Sequence, residues 1–98
     1  MIDLYTSPTP NGYKISVALE ELNIPYNVHV VNLQAGDQKK EDFLKLNPNG
    51  RIPVIVDTEN NNLPIMESGA QLIYLAEKVG KLLPSETTAR SKVMQWLM

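Results

Sequence analysis

Two adjacent polar residues, Glu67 and Ser68, follow the apolar run 63–66 and precede a segment with helical spacing. The start of a helix favours anions, so the amide and hydroxyl of Ser68 would bind a carboxylate there. The Glu67 carboxylate beside them would attract a cation. Such a pair suits the zwitterionic end of an amino acid. The same residues also fit a simpler arrangement, in which Ser68 caps the helix and Glu67 is solvated.

Pro53 lies near the start of a β-branched run, residues 51–57. Because proline cannot donate to a sheet ladder, it belongs at an edge, at a bulge or in a cis turn. A cis bond would leave the backbone N–H and C=O of Ile52 pointing outward, where they would pair with an extended peptide. A plain edge proline is the alternative.

Thr9 and Asn11 lie in a loop with two prolines and a glycine, after a predicted strand and before a predicted helix. The ends of parallel strands are where α/β folds bind ligands. A hydroxyl and an amide beside a helix N-terminus would donate hydrogen bonds to a thiolate or another anion. Capping of the helix by either residue is the alternative.

The composition argues against several classes of function. The chain has 98 residues, the size of one domain. Its net charge is −2 and its basic tract is limited to Lys39 and Lys40, so nucleic-acid binding is not expected. With no cysteine and a single histidine, His29, neither a disulfide nor a cysteine nucleophile nor a metal site is expected. Without a membrane-length apolar run or a basic signal-peptide start, a cytoplasmic protein that does not bind membranes is expected.

The elements that must position these residues follow from periodicity. Residues 2–6 alternate and predict a strand, and Ile15, Ala18, Leu19 and Leu22 mark one face of a helix that ends before Pro25. Residues 26–33 predict a second strand, with His29 facing solvent. Residues 34–42 are polar and predict a loop.

The second half of the chain predicts a short helix or turn over 41–47 and a hairpin of strands 51–57 and 63–66. A helix then follows to about Gly80, and its predicted inner face consists of Gly69, Leu72, Ile73 and Ala76. The order βαβ-α-ββα predicts an α/β fold with a four-stranded mixed sheet, in which the first two strands are parallel.

Residues 85–98 predict the start of a further helix. Ala89, Val93, Trp96 and Leu97 fall on one face, and the amphipathic pattern continues to the last residue. We therefore expect residues 1–83 to form one domain, and residues 84–98 to be the linker and first helix of a truncated helical domain.

Two motifs carry a family resemblance: "NPNGRIPVIVD" followed by "MESGAQLIYLAEK". They resemble the signature of the thioredoxin-like N-terminal domain of cytosolic glutathione transferases. The start, "MIDLYTSPTPNGYKISVALEEL", resembles the nu-class bacterial transferases that act as disulfide-bond oxidoreductases, which are relatives of the fungal nitrogen-regulator prion proteins.

The resemblance implies a glutathione site. Glu67 would hold the ammonium and Ser68 the carboxylate of the γ-glutamyl end, and Ile52, before a cis Pro53, would pair with the cysteinyl part. By the same resemblance Gln38 would contact glutathione, and Thr9 and Asn11 would stabilise the thiolate as catalytic residues.

The expected activity is glutathione-dependent thiol–disulfide exchange, or conjugation of glutathione to an electrophile, with glutathione as co-substrate and no metal. Since the chain lacks cysteine, both exchanging sulfurs must come from glutathione and the second substrate. The resemblance implies a homodimer for the full-length protein. A non-enzymatic interaction or dimerisation domain of the same family is the alternative.

Overall fold

The computed structural model describes residues 1–80 and 84–97, and within them the predicted order of elements is confirmed. The strands and helices have the following bounds: β1 Ile2–Thr6, α1 Pro10–Glu21, β2 Tyr26–Val30, a 3₁₀ helix Asp37–Lys39, α2 Glu41–Leu46, β3 Val54–Asp57, β4 Leu63–Ile65, α3 Ser68–Val79 and α4 Thr87–Leu97. None of the helices in this described part is long and apolar enough to cross a membrane.

The four strands form one mixed sheet in the order β2-β1-β3-β4. Strands β1 and β2 are parallel, with Thr6 opposite Val30, so both strands end at the same edge. The Ser7 hydroxyl donates to the Val31 carbonyl just beyond that edge. Strands β3 and β4 are antiparallel, as the predicted hairpin requires. The four-stranded thioredoxin-like architecture expected from the sequence is therefore confirmed.

Alternation along the strands divides the apolar residues between two faces of the sheet. On one face, residues of β1 and β3 pack with α1 and α3 in a buried cluster that includes Ile2, Leu4, Ile15, Leu19, Ile55 and Leu75. On the other face, Val31, Phe43 of α2 and Val54 form a smaller cluster. The helices that pack on the two faces of the sheet therefore hold the β1–α1 loop and the segment leading into β3 in place at both of their ends.

Several predicted bounds were wrong by a few residues. Strand β2 ends at Val30 rather than at residue 33, and the predicted loop contains the 3₁₀ helix. Strand β3 begins at Val54 rather than at residue 51, because Pro53 has no N–H for the ladder. His29 is exposed as predicted, and its ring stacks on Tyr5 with centroids 4.6 Å apart.

The predicted inner face of α3 was partly wrong. The residues that the structure buries are Gln71, Leu75 and Ala76, whereas Leu72 and Ile73 are half-buried. A glutamine in an amphipathic pattern indicates the solvent side, so its position at the centre of the buried face could not be read from polarity. The helix ends as predicted, with Gly80 in the left-handed conformation at φ 68°.

Helix α4 begins at Thr87, two residues later than predicted, because the Glu86 carboxylate accepts from the amides of Thr88 and Ala89. On the predicted apolar face of α4, Val93 is exposed and Leu97 is half-buried. The proposed domain boundary after residue 83, and the Trp96 side chain, lie outside what the structure describes.

An ion pair between the buried Asp57 and the exposed Lys78 stabilises the β3–β4 hairpin against α3. Asp57 Oδ2 accepts from Lys78 Nζ at 2.9 Å and from the Tyr74 hydroxyl at 2.7 Å. Burial alone would raise the pKa of Asp57, but the hydrogen bonds together outweigh it and hold the pKa below its ordinary value of 3.8. Such a carboxylate stabilises the fold above its ordinary pKa, and the contribution is lost as pH falls through the folded-state pKa.

We expect Asp57→Asn to lower the free energy of unfolding at neutral pH by about 2 kcal/mol, because hydrogen bonds to a charged acceptor are weakened. The difference from the wild type should shrink below about pH 4, where the carboxyl group of the unfolded chain becomes protonated, and should disappear below the lower folded-state pKa. Urea unfolding over a pH series measures both effects. A difference that stays constant through the acid range would contradict the role given to Asp57.

Candidate functional site

The first turn of α1 is held by its N-cap, Thr9. The Thr9 hydroxyl oxygen accepts a hydrogen bond from the Gly12 amide at 3.2 Å, and Pro10 occupies the first helical position. Capping by Thr9, the alternative given above, is therefore present. A hydroxyl that accepts one hydrogen bond can still donate its proton to another group, so capping and binding of an anion are compatible.

Gly12 allows this turn to pack against the end of β1. A Cβ atom at Gly12 would lie 2.3 Å from the Thr6 hydroxyl oxygen and 2.4 Å from the Ser7 carbonyl oxygen. Asn11, the second residue of the helix, is exposed beside this contact. The close approach of α1 to the end of β1 thus limits the positions that the side chains of Thr9 and Asn11 can occupy.

The turn before β3 is fixed by Asn47, which is buried. Its Nδ2 donates to the Arg51 carbonyl at 2.9 Å, and its Oδ1 accepts from the Asn49 amide at 2.9 Å. The turn leads into a cis peptide bond between Ile52 and Pro53, as the family resemblance implied, so the alternative of a plain edge proline was wrong. Ile52 lies outside the sheet, so its backbone groups are not part of the β3 ladder.

Glu67 is the N-cap of α3, and its backbone has φ 70° and ψ 116°. A non-glycine residue with such a positive φ costs about 1–3 kcal/mol and points to a functional constraint. The exposed Glu67 side chain does not cap the helix and has no ion-pair partner within the described residues. Ser68, not Glu67, was expected to cap, so that alternative was wrong; the Ser68 amide and hydroxyl lie at the positive end of the helix.

Three separate segments converge on one small cavity of about 90 Å³. Its lining consists of Asn11, Asn47, Arg51, Ile52, Pro53, Glu67 and Ser68. The cavity therefore combines a carboxylate, a guanidinium, two carboxamides and a helix N-terminus. A site of this kind can bind a small zwitterion through opposite charges on neighbouring walls.

Two of the predicted site residues do not line this cavity. Thr9 lines a neighbouring groove of about 340 Å³, formed with Ser7, Pro8 and residues 30–34. Gln38 lies in the 3₁₀ helix, and its carbonyl oxygen would be 3.0 Å from a Cβ atom at Gly50, so it packs behind the turn that precedes Ile52. The structure thus brings five of the seven predicted residues to one place, with the other two adjacent to its walls.

Sequence reasoning missed Asn47 and Arg51, which also line the cavity. Both stand within the quoted motif "NPNGRIPVIVD", where the two asparagines around Pro48 indicate a turn with side-chain hydrogen bonds. This turn pattern could have pointed to both residues from the sequence alone. In the described residues there is no group of three or more metal-ligating side chains close enough to hold a metal ion.

Comparison with known proteins gives a consistent result. Residues 9–78 match the family model "Glutathione S-transferase, N-terminal domain". The chain is 48% identical over 101 residues to disulfide-bond oxidoreductase YfcG of Escherichia coli strain K12, covering 99% of this chain and 47% of that protein.

Solved structures are similar too. A glutathione transferase family member from Pseudomonas fluorescens Pf-5, solved with two glutathione bound, superposes with a TM-score of 0.92 at 48% identity, over 99% of this chain and 44% of that one. A glutathione transferase from Pseudomonas putida, with one glutathione disulfide bound per subunit, gives 0.92 at 43% identity over the same shares.

The chain thus spans about half the length of the relatives that it matches. The family model covers the β1–α1 loop from Thr9, the turn before β3 and most of α3, which are the segments that form the cavity. The chain belongs to the family of glutathione S-transferase N-terminal domains.

Proposed function

We propose that this chain binds glutathione in the cavity between α1, the turn before β3 and the start of α3. The observation that carries the proposal is the convergence of Asn11, Ile52, Glu67 and Ser68 on one cavity, although the sequence separates them by up to 57 positions. The glutathione-bound relatives described above support it.

The cavity suits the γ-glutamyl end of the ligand. Its volume of about 90 Å³ has room for an amino-acid head rather than for a whole tripeptide. The Glu67 carboxylate holds the ammonium group, and the hydroxyl and amide of Ser68 bind the carboxylate at the helix N-terminus. The exposed guanidinium of Arg51, which also lines the cavity, favours the same carboxylate.

The rest of the tripeptide extends across the Ile52 backbone towards the start of α1. There the cysteinyl sulfur meets Asn11 on the cavity side and Thr9 on the groove side. Hydrogen bonds from these donors and the dipole of α1 favour the thiolate over the thiol, which raises the population of the nucleophile. Gln38, which lies behind the Gly50 turn, belongs to the proposed site because the family resemblance assigns it a contact with glutathione.

The reaction that follows is attack of the glutathione thiolate on a second substrate. With a disulfide, a new S–S bond forms to glutathione and the other sulfur leaves as a thiolate. With an electrophilic carbon, a C–S bond forms and the leaving group departs. Because these 98 residues contain no cysteine, neither route passes through a disulfide within them.

The remainder of the protein is part of the same proposal. We infer that α4 begins a helical domain that completes the second-substrate pocket and a homodimer interface, since relatives of known sequence are about twice as long. A cytoplasmic location accords with a chemistry that depends on reduced glutathione.

Titration calorimetry of the purified chain with reduced and then oxidised glutathione tests the binding step. We expect saturable binding, and a bound thiol whose pKa lies below its ordinary value near 8.5. Asn11→Ala should raise that thiol pKa by about one unit, because one hydrogen bond to the thiolate is lost.

Thr9→Ser should behave like the wild type, since serine both caps and donates. Asn27→Ala, which removes a carboxamide outside the cavity, serves as the control. A folded chain that binds neither form of glutathione would favour the interaction-domain alternative over the proposed activity.

A further inference from the structure

Gln71 is a buried polar residue that links the two walls of the cavity. Its side chain has no exposed surface. Its Nε2 donates one hydrogen bond to the Pro53 carbonyl and one to the Ile65 carbonyl, each at 2.8 Å. Both amide protons are therefore used, and both acceptors belong to the backbone segments that carry site residues.

The Pro53 carbonyl needs such a donor because the sheet ladder stops beside it. The register of β3 and β4 runs from the pair Asp57 and Leu63 to the pair Ile55 and Ile65. Continuing by two residues would pair Pro53 with Glu67, but Pro53 has no N–H to contribute and the strands have ended. The side-chain amide of Gln71 donates to the Pro53 carbonyl the hydrogen bond that the sheet no longer supplies at this position.

The arrangement is poorly optimised for stability alone. Among the described residues, Gln71 Oε1 is buried without a hydrogen-bond partner. An unsatisfied buried acceptor costs folding free energy, and an apolar side chain of similar size would avoid that cost. A buried group of this kind calls for an explanation, and the two hydrogen bonds of Nε2 offer one.

We propose that Gln71 is a positioning residue, which sets the distance between the wall containing Ile52 and the wall containing Glu67 and Ser68. The inference rests on the proposed function, since it concerns the fit of glutathione between those walls. Gln71 acts through Pro53 on one side and through Ile65, two residues before Glu67, on the other. Its side chain does not line the cavity.

The first test replaces Gln71 with leucine, which keeps the size and removes both hydrogen bonds. We expect the affinity for glutathione to fall about tenfold, because small displacements of site groups weaken binding strongly. The midpoint of thermal unfolding should change little, since the unsatisfied Oε1 is removed as well. Leu75→Met, a volume-conserving change one turn further along α3, is the matched control and should keep wild-type affinity.

Gln71→Glu supplies a readout that packing alone would not produce. Burial raises the pKa of a carboxyl group, and the protonated form regains one O–H donor for a carbonyl. We therefore expect the affinity of this variant, divided by that of the wild type at the same pH, to recover as pH falls. A ratio that does not change with pH would count against the hydrogen-bonding role.

Amide hydrogen exchange without ligand separates this inference from the proposed function. Loss of the link should accelerate exchange at Val54 and at the backbone amide of residue 71, which donates to the Glu67 carbonyl, in Gln71→Leu relative to Leu75→Met. If the wild type binds no glutathione, the proposed function is wrong. The exchange rates measured without ligand then test by themselves whether Gln71 links the two walls. Wild-type affinity in Gln71→Leu, equal weakening in Leu75→Met, or unchanged exchange at both amides would each overturn the inference.

Discussion

Replacing Glu67 with glycine should leave the free energy of unfolding unchanged or raise it, while removing glutathione binding. The backbone of Glu67 has φ 70°, which costs a side-chain-bearing residue about 1–3 kcal/mol. Glycine adopts this conformation without that cost, although its freer unfolded chain costs about 0.5–1 kcal/mol. The carboxylate proposed to hold the ligand ammonium is lost with the side chain.

Calorimetric titration and urea unfolding of the same preparations measure the two effects. Glu67→Gln, which keeps the strained backbone and removes only the charge, should weaken glutathione binding by about 2 kcal/mol, or roughly thirtyfold. Glu21→Gln removes an exposed carboxylate outside the cavity and should change neither property. If Glu67→Gly lost stability and affinity together, Glu67 would be a structural residue rather than the ammonium ligand.

Gly12→Ala should destabilise the fold by about 3 kcal/mol, at the upper end of the usual cost of overpacking. Helix propensity alone predicts the opposite sign, since alanine is favoured over glycine in a helix by about 1 kcal/mol. The steric term should dominate because the added Cβ would lie 2.4 Å from the Ser7 carbonyl oxygen, a backbone atom that can move only with the end of β1. The resulting shift of α1 should displace Thr9 and Asn11 and weaken glutathione binding as well.

Urea unfolding and calorimetric titration check this pair of effects. Gly36→Ala is the matched control, because Gly36 has φ 77° and nothing within 4 Å of an added Cβ. It should cost about 1 kcal/mol through backbone conformation alone and leave glutathione affinity unchanged. A Gly12→Ala variant more stable than the wild type would show that the helix and the end of β1 can separate without penalty.

Local patterns predicted the elements well where one face of the element is buried. The alternation of residues 2–6 and the helical spacing of Ile15, Ala18, Leu19 and Leu22 correspond to β1 and α1, and all four helical residues are buried. Such patterns succeed because the backbone geometry of each element dictates which neighbouring side chains share a face. The predicted start of β3 was wrong for a local reason, because Pro53 has no N–H to donate and the ladder begins only at Val54.

The candidate site was predictable as three separate motifs but not as one constellation. Each motif was recognisable from residue types, and their order along the chain resembled one family. Which side chains share the cavity depends on how α1, the turn before β3 and α3 pack. Hence Asn47 and Arg51 line the cavity without having been predicted there, and Gln38 lies behind its wall.

The order of elements, the family and the residue types available for chemistry could be read from the chain alone, because periodicity, turn residues and motifs are local properties. Which polar residues are buried, and which groups they bond to, depends on how the elements pack. Gln71 is the clearest instance, since its polarity indicates the surface while the structure buries it. The two carbonyls that make this possible come from residues 18 and 6 positions away, and only folding brings them to its amide.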